Sequence, residues 1–139
     1  MARPVSEIMT VAPRTVEASA SVREAARAMR EDDVGAIVVL AGGDLYGIVT
    51  DRDVAIRVVA EDRDPATTAV GDIASRDTTA IESDRTDEDA VVLMRDHALR
   101  RLPVVEAGQP VGILTLGDLA VERDPDSPLA DISTSDPNR

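Results

Sequence analysis

Cysteine is absent from this chain, and disulfides, thiolate catalysis and cysteine-based zinc sites are excluded with it; a reducing compartment fits. Phenylalanine and tryptophan are also absent, leaving Tyr46 as the one aromatic residue. Neither an aromatic cage nor a base-stacking platform can be built, so a planar ligand would lie against aliphatic side chains. Lysine is missing too: all 15 bases are arginine, set against 18 aspartates and 9 glutamates. The net charge of −12 repels nucleic acid and anionic membrane surfaces, and neither is expected as a partner. No apolar run approaches the ~20 residues of a membrane span, and Met1-Ala2-Arg3-Pro4 leads into polar residues rather than a signal-peptide core. A soluble cytoplasmic protein is expected. His97 is the only histidine, and Glu31-Asp32-Asp33 and Glu82-Ser83-Asp84 read as solvated turns, so no metal site is expected.

What is present is a repeat. With 139 residues, 43% of them hydrophobic, the chain can bury a core. Laying residues 5–56 over 70–121 needs no gap, and 13 of the 52 pairs are identical, among them Ile8/Ile73, Ala25/Ala90, Met29/Met94, Gly47/Gly112 and Thr50/Thr115. A fixed offset of 65 residues sustained over that length marks a duplicated unit. The expected organisation is repeat 1 over 5–61, a joint over 62–69, repeat 2 over 70–123 and a flexible acidic, proline-containing tail over 124–139.

Within repeat 1, Val5–Met9 reads as a helical turn and Arg14–Val16 as a short strand. Ser21-Val22-Arg23-Glu24 has the capping-box form, and Val22, Ala25, Ala26 and Met29 follow at helical spacing to about Asp32. Ala36–Leu40 and Leu45–Thr50 are apolar runs around the turn Ala41-Gly42-Gly43-Asp44, a hairpin. Asp51–Val59 reads as a helix buried along Val54, Ile56 and Val58. Repeat 2 follows the same order, with a second capping box at Thr86–Asp89, a hairpin over Leu102–Glu106 and Val111–Thr115, and a last helix from Leu116. The predicted fold is α+β, α/β sandwich-like: two β-α-β-β-α repeats packed sheet to sheet with pseudo-two-fold symmetry.

The stretch with chemistry is Gly47-Ile48-Val49-Thr50-Asp51-Arg52-Asp53, which returns as Gly112-Ile113-Leu114-Thr115-Leu116-Gly117-Asp118. One reading is structural: Thr at the N-cap and Asp at N3 satisfy the free amides of a helix start. The other is functional: a hydroxyl, a carboxylate and helix amides facing one crevice suit the sugar and phosphate of a nucleotide. Spacing alone does not choose between them.

The duplicated Gly-Ile-(Val/Leu)-Thr-x-x-Asp, the Ala-x-x-x-Met of each long helix and Arg101-Leu102-Pro103-Val104-Val105 resemble a tandem of cystathionine-beta-synthase (CBS) domains, a Bateman module, over about 5–123. Among two-repeat proteins the chain is similar to the small bacterial hypoxic-response type. The resemblance implies clefts that take adenosine ligands (AMP, ADP or ATP, less readily S-adenosylmethionine), no required cofactor, and a homodimer. It implies that Asp53 and Thr50 hold the ribose and phosphate of one ligand, with Thr79, Ala80 and Pro103 beside the adenine and Arg100 and Arg101 reaching the phosphates. For the second ligand it implies Asp118 and Thr115, with Thr15, Val16, Gly35 and Ala36 as the wall. Gly35-Ala36 stands in the register of Arg100-Arg101, so unequal sites are expected, the one with the arginines being stronger.

No nucleophile or base stands beside Asp51 and Asp53, and no enzyme is expected. The expected function is regulatory: adenosine-nucleotide sensing passed to an unknown effector protein or to the protein's own dimer. The alternative is an interaction or scaffold dimer whose clefts bind nothing.

Overall fold

The computed structural model describes residues 2–11, 14–76 and 79–123; the expected tail over 124–139 lies outside them. The chain is α+β. In order, its elements are β1 (Thr10–Val11), β2 (Thr15–Glu17), α1 (Val22–Asp32), β3 (Ala36–Ala41), β4 (Asp44–Thr50), α2 (Asp51–Val54), β5 (Ile81–Glu82), α3 (Asp87–His97), β6 (Arg101–Glu106), β7 (Gln109–Thr115) and α4 (Leu116–Arg123). One compact unit holds described residues 14–76, with the sheet β2-β3-β4; the other holds 2–11 and 79–123, with the sheet β1-β7-β6-β5. We call them the first-repeat and second-repeat units.

The 65-residue offset reappears in the geometry. Thr86 forms the expected capping box with Asp89, and Ser21 accepts from the Glu24 amide at the start of α1. Both long helices end on a left-handed residue, Asp33 (φ 57°) and Ala98 (φ 54°). Both hairpins slip register by one residue, at Val39/Leu40 and at Val104/Val105. Ala98 is an exposed alanine in a conformation that a Cβ disfavours. Ala98→Gly is therefore expected to stabilise the second-repeat unit by about 1 kcal/mol, read as a higher urea midpoint with an unchanged slope.

The first turn of each repeat packs on the other repeat. Val5–Glu7 docks on the second-repeat unit, where the Val5 amide donates to the Arg85 carbonyl at 2.7 Å; Val70–Asp72 docks on the first-repeat unit, where Val70 donates to the Ala20 carbonyl at 2.8 Å. Both valines are fully buried. The segment after each turn then runs along the motif strand: Thr10 and Val11 pair with Ile113 and Gly112, and Ser75 bridges Ile48. Tyr46 secures the second of these straps, its hydroxyl donating to the Gly71 carbonyl at 2.8 Å while Arg76 lies 4.7 Å over its ring.

Each unit has its own apolar cluster. Ile37, Val39 and Val49 meet Val22, Ala25 and Met29 in one, and Leu102, Val104 and Leu114 meet Ala90, Met94 and Leu119 in the other. The expected helix over Asp51–Val59 is realised with a difference: after α2 the chain widens into a π-helical turn over Ala55–Val59, closed by the Ala60 amide on the Ala55 carbonyl at 2.9 Å. The wider turn changes which side chains face inward. Val58 is fully buried, but Ile56, expected on the buried side, is 49% exposed.

Candidate functional site

The duplicated motif forms the same strand-to-helix junction in both units. In the first-repeat unit β4 ends at Thr50, whose extended backbone (φ −119°) turns the chain into α2. The Thr50 amide donates to Asp53 Oδ2 at 2.9 Å, and the Asp53 amide donates to Thr50 Oγ1 at 3.1 Å. In the second-repeat unit the Thr115 amide donates to Asp118 Oδ2 at 2.9 Å, and the Asp118 amide to Thr115 Oγ1 at 3.0 Å. The capping role is thus present in both copies. It occupies one oxygen of each carboxylate and one lone pair of each hydroxyl, which leaves each threonine O–H able to donate.

The second carboxylate oxygens differ in surroundings. Asp53 Oδ1 lies 3.8 Å from Arg57 Nε, one helical turn on. Asp118 is half-buried, and burial pushes its carboxyl above the ordinary 3.8, opposed by hydrogen bonding from the Thr115 backbone and side chain.

Hairpin register decides what stands beside each junction. Ala36 is directly opposite Thr50, and the Asp51 amide donates to the Gly35 carbonyl at 2.9 Å. Arg101 is directly opposite Thr115, and the Leu116 amide donates to the Arg100 carbonyl at 2.8 Å. The first junction therefore has small residues and two carboxylates, Asp51 and Asp53; the second has two arginines and one carboxylate. A Cβ on Gly35 would lie 3.0 Å from Asp51 Oδ2, close enough that this exposed carboxylate would have to shift by a few tenths of an ångström.

The remaining candidates lie on the first strands. Thr15 and Val16 are in β2, paired in parallel with Val38 and Val39. Ile81 pairs with Val104, so Thr79 and Ala80 lead into β5 next to the buried Pro103. Ala80 also lines a groove of about 410 Å³ with Ile81, Asp89, Val92 and Leu93. Its counterpart at Thr15 and Val16 is smaller, about 260 Å³, and more polar, because Arg14 lines it and pairs with Glu31 and Asp32 at 3.0 Å each. The hydrogen bond with Glu31, and then the charge of Asp32, hold the Arg14 guanidinium above its ordinary value.

The structure thus gathers Gly35, Ala36, Thr50 and Asp53 at one junction and Arg100, Arg101, Thr115 and Asp118 at the other. Asp53 belongs to one unit and Arg100 and Arg101 to the other, as do Asp118 and the pair Gly35–Ala36. Asp51 beside Gly35 and the Tyr46–Gly71 bond were not read from the sequence. The first was legible in the hairpin register; the second joins residues 25 apart with no pattern to connect them. Among the described residues no group of three or more His, Asp or Glu side chains could hold a metal ion, and no helix is long and apolar enough to cross a membrane.

Comparison with known proteins matches the CBS domain family to residues 5–60 and again to 70–123. The chain is 41% identical to the CBS domain-containing protein YhcV of Bacillus subtilis, over 86% of this chain and 84% of that one. It is 32% identical to hypoxic response protein 1 of Mycobacterium tuberculosis, over 82% and 80%. A crystal structure of hypoxic response protein I with two coordinated zinc ions aligns with a TM-score of 0.77 at 30% identity, covering 86% of this chain and 98% of that one. A hexameric CBS-CP12 protein from bloom-forming cyanobacteria aligns with a TM-score of 0.78 at 29% identity, covering 92% and 77%.

Proposed function

The chain belongs to the CBS domain family and carries the domain twice, and from that premise we propose that it is a regulatory module, not an enzyme, that binds an adenosine nucleotide and passes occupancy to an effector protein or to its own assembly. AMP, ADP and ATP are the proposed ligands, ahead of S-adenosylmethionine, and the cytoplasm the proposed setting. One observation carries the reading: the Thr–Asp junction is built twice with the same hydrogen bonds, and each copy keeps a hydroxyl that can donate to phosphate and a second carboxylate oxygen that can accept from ribose hydroxyls.

In this reading Thr50, Asp53, Thr115 and Asp118 hold sugar and phosphate. Thr15, Val16, Gly35, Ala36, Thr79, Ala80 and Pro103 supply aliphatic surface for adenine, and Arg100 and Arg101 meet the phosphate charge. In a chain of net charge −12 a polyphosphate needs such local cations. A ligand shifts the module only by its differential affinity for two states, so occupancy has to be read at a surface that changes with it. The zinc of the hypoxic response structure is not carried over: this chain has no cysteine and one histidine.

A second reading has an observation of its own. Each junction is already satisfied by its own capping box, as in a scaffold that binds nothing. Calorimetric titration with AMP, ADP, ATP and S-adenosylmethionine separates the two. Saturable heat with at least one adenosine ligand is expected, and Arg100→Ala/Arg101→Ala should weaken ATP by about 100-fold, the loss of two charge-assisted contacts, while weakening adenosine far less. Absence of heat with all four ligands removes the nucleotide-sensing reading; heat that Asp53→Ala and Asp118→Ala both leave unchanged places the ligand elsewhere.

A further inference from the structure

The two junctions are alike as far as the aspartate and diverge one helical turn later. Four residues after Asp53 stands Arg57; four residues after Asp118, in the same register, stands Glu122. Residues four apart share a helix face, and helical side chains lean toward the N-terminus, so this is a position from which a helix can reach back over its own junction.

The two side chains are held differently. Arg57 lies within the π-helical turn, whose outer side is open to solvent: Ile56 and Val59 are 49% and 68% exposed, and the Arg57 side chain 56%. Its Nε stands 3.8 Å from Asp53 Oδ1, the oxygen that capping leaves over, whereas the Asp53 side chain is only 16% exposed. At that distance the pair is ionic without a hydrogen bond, and Arg57 makes no other ion pair or side-chain hydrogen bond among the described residues. Its N–H donors are uncommitted. Glu122 is engaged instead: Arg3 Nη1 donates to its Oε2 at 2.6 Å, while Arg3 Nη2 donates to Glu7 at 3.1 Å.

Charge decides what the first junction can accept. Asp51 and Asp53 put two carboxylates within three residues, and the hairpin beside them contributes Gly35 and Ala36, neither of them charged. A phosphate brought to these carboxylates alone would be repelled. Arg57 is the cation that this unit holds against Asp53.

We propose that Arg57 is a specificity-determining residue of the first junction: its guanidinium turns from Asp53 onto the phosphate of the bound ligand, so that this junction selects a nucleoside phosphate over the bare nucleoside. Asp53 Oδ1 is thereby released to accept from ribose hydroxyls, and one side-chain movement serves both halves of the ligand. A loose, exposed ion pair suits this exchange, because giving it up costs little, whereas guanidinium–phosphate hydrogen bonds are charge-assisted and can be bidentate. The second junction has no counterpart, its register mate being an acid bound to Arg3. The role of Arg57 rests on the nucleotide reading of the junction, and the variants below separate the two.

AMP and adenosine are titrated calorimetrically into the parent, Asp53→Ala, Arg57→Gln, Arg57→Lys and the control Arg52→Gln. The control removes the same charge from an exposed position nearby that has no ion pair with Asp53. Heat that Asp53→Ala abolishes belongs to the first junction. In that component Arg57→Gln should weaken AMP by about tenfold and adenosine by less than about twofold, Arg57→Lys should recover part of the AMP loss, and Arg52→Gln should leave both ligands within about twofold of the parent. The salt dependence of AMP binding should also become shallower in Arg57→Gln, a change that a packing defect does not produce. Equal weakening of AMP and adenosine by Arg57→Gln, unchanged AMP binding, or an equal loss of AMP in Arg52→Gln overturns the role of Arg57 while the nucleotide reading stands. AMP heat that Asp53→Ala leaves in full overturns it as well, by moving the phosphate away from this junction. No heat from the parent with either ligand removes the nucleotide reading for AMP and the role of Arg57 together.

Discussion

Gly47→Ala is expected to cost the first-repeat unit about 3 kcal/mol or more, a large share of the stability of an ordinary domain. A Cβ on Gly47 would overlap the Ser75 carbonyl oxygen and stand 3.0 Å from its carbon. Both are backbone atoms, which cannot swing aside as a side chain can. The strap must therefore detach from β4, breaking the hydrogen bonds of 3.2 and 2.9 Å between Ile48 and Ser75 and straining the Tyr46–Gly71 bond. The equivalent Gly112→Ala should cost less. It meets the Met9 side chain, which can rotate, although the Thr10 carbonyl at 2.8 Å still opposes it. Gly42→Ala is the control: a Cβ there has open space, and only its φ of 61° resists, worth about 1 kcal/mol. Urea unfolding of the three variants should rank them 47, 112, 42. A Gly47→Ala protein within about 1 kcal/mol of the parent would show that the strap does not need the glycine.

The second large effect uses the single aromatic residue as a reporter. Leu114 and Ile37 are buried to 0% and 1% exposure, at equivalent depth in different clusters. Truncating either to alanine should cost about 2–5 kcal/mol, through lost burial and the cavity left behind. Among the described residues Tyr46 packs against the first-repeat cluster, so its fluorescence follows that unit, whereas far-ultraviolet dichroism follows both. Leu114→Ala should move the dichroism transition to lower urea ahead of the tyrosine signal, and Ile37→Ala should move the tyrosine signal first. Coincident transitions in both variants would mean that the exchanged straps couple the clusters into one cooperative unit.

Much of this was legible because it is local. The capping boxes, the apolar stripes of α1 and α3 and the hairpin around Gly42–Gly43 each depend on residues within a few positions of one another. The offset of 65 residues then carried every such reading to a second copy, where Thr115 and Asp118 repeat Thr50 and Asp53. Ile56 shows where local pattern failed. Its spacing from Val54 and Val58 suits a buried side, but the π-helical turn changes the angular step between residues, and nothing in the short run announces it.

The candidate site divides the same way. Threonine and aspartate three apart declare a helix start, whereas the partners of that start come from hairpin register, which puts Arg101 opposite Thr115 and Ala36 opposite Thr50. At each junction capping uses one carboxylate oxygen and one hydroxyl lone pair, and the structure shows that arrangement in both copies.

The sequence by itself determined the duplication, the α+β class and the family, because these reside in short-range periodicity and in motifs read one residue at a time. Tertiary structure alone decided that each repeat's first turn belongs to the other repeat's unit, and that Gly47 and Gly112 are glycine because a strap crosses each of them. It also decided that Ile56 and Val59 face outward. The physical reason is common to all three: they are set by backbone approach between segments far apart in the chain, and a sequence specifies such an approach only through the whole packing that produces it.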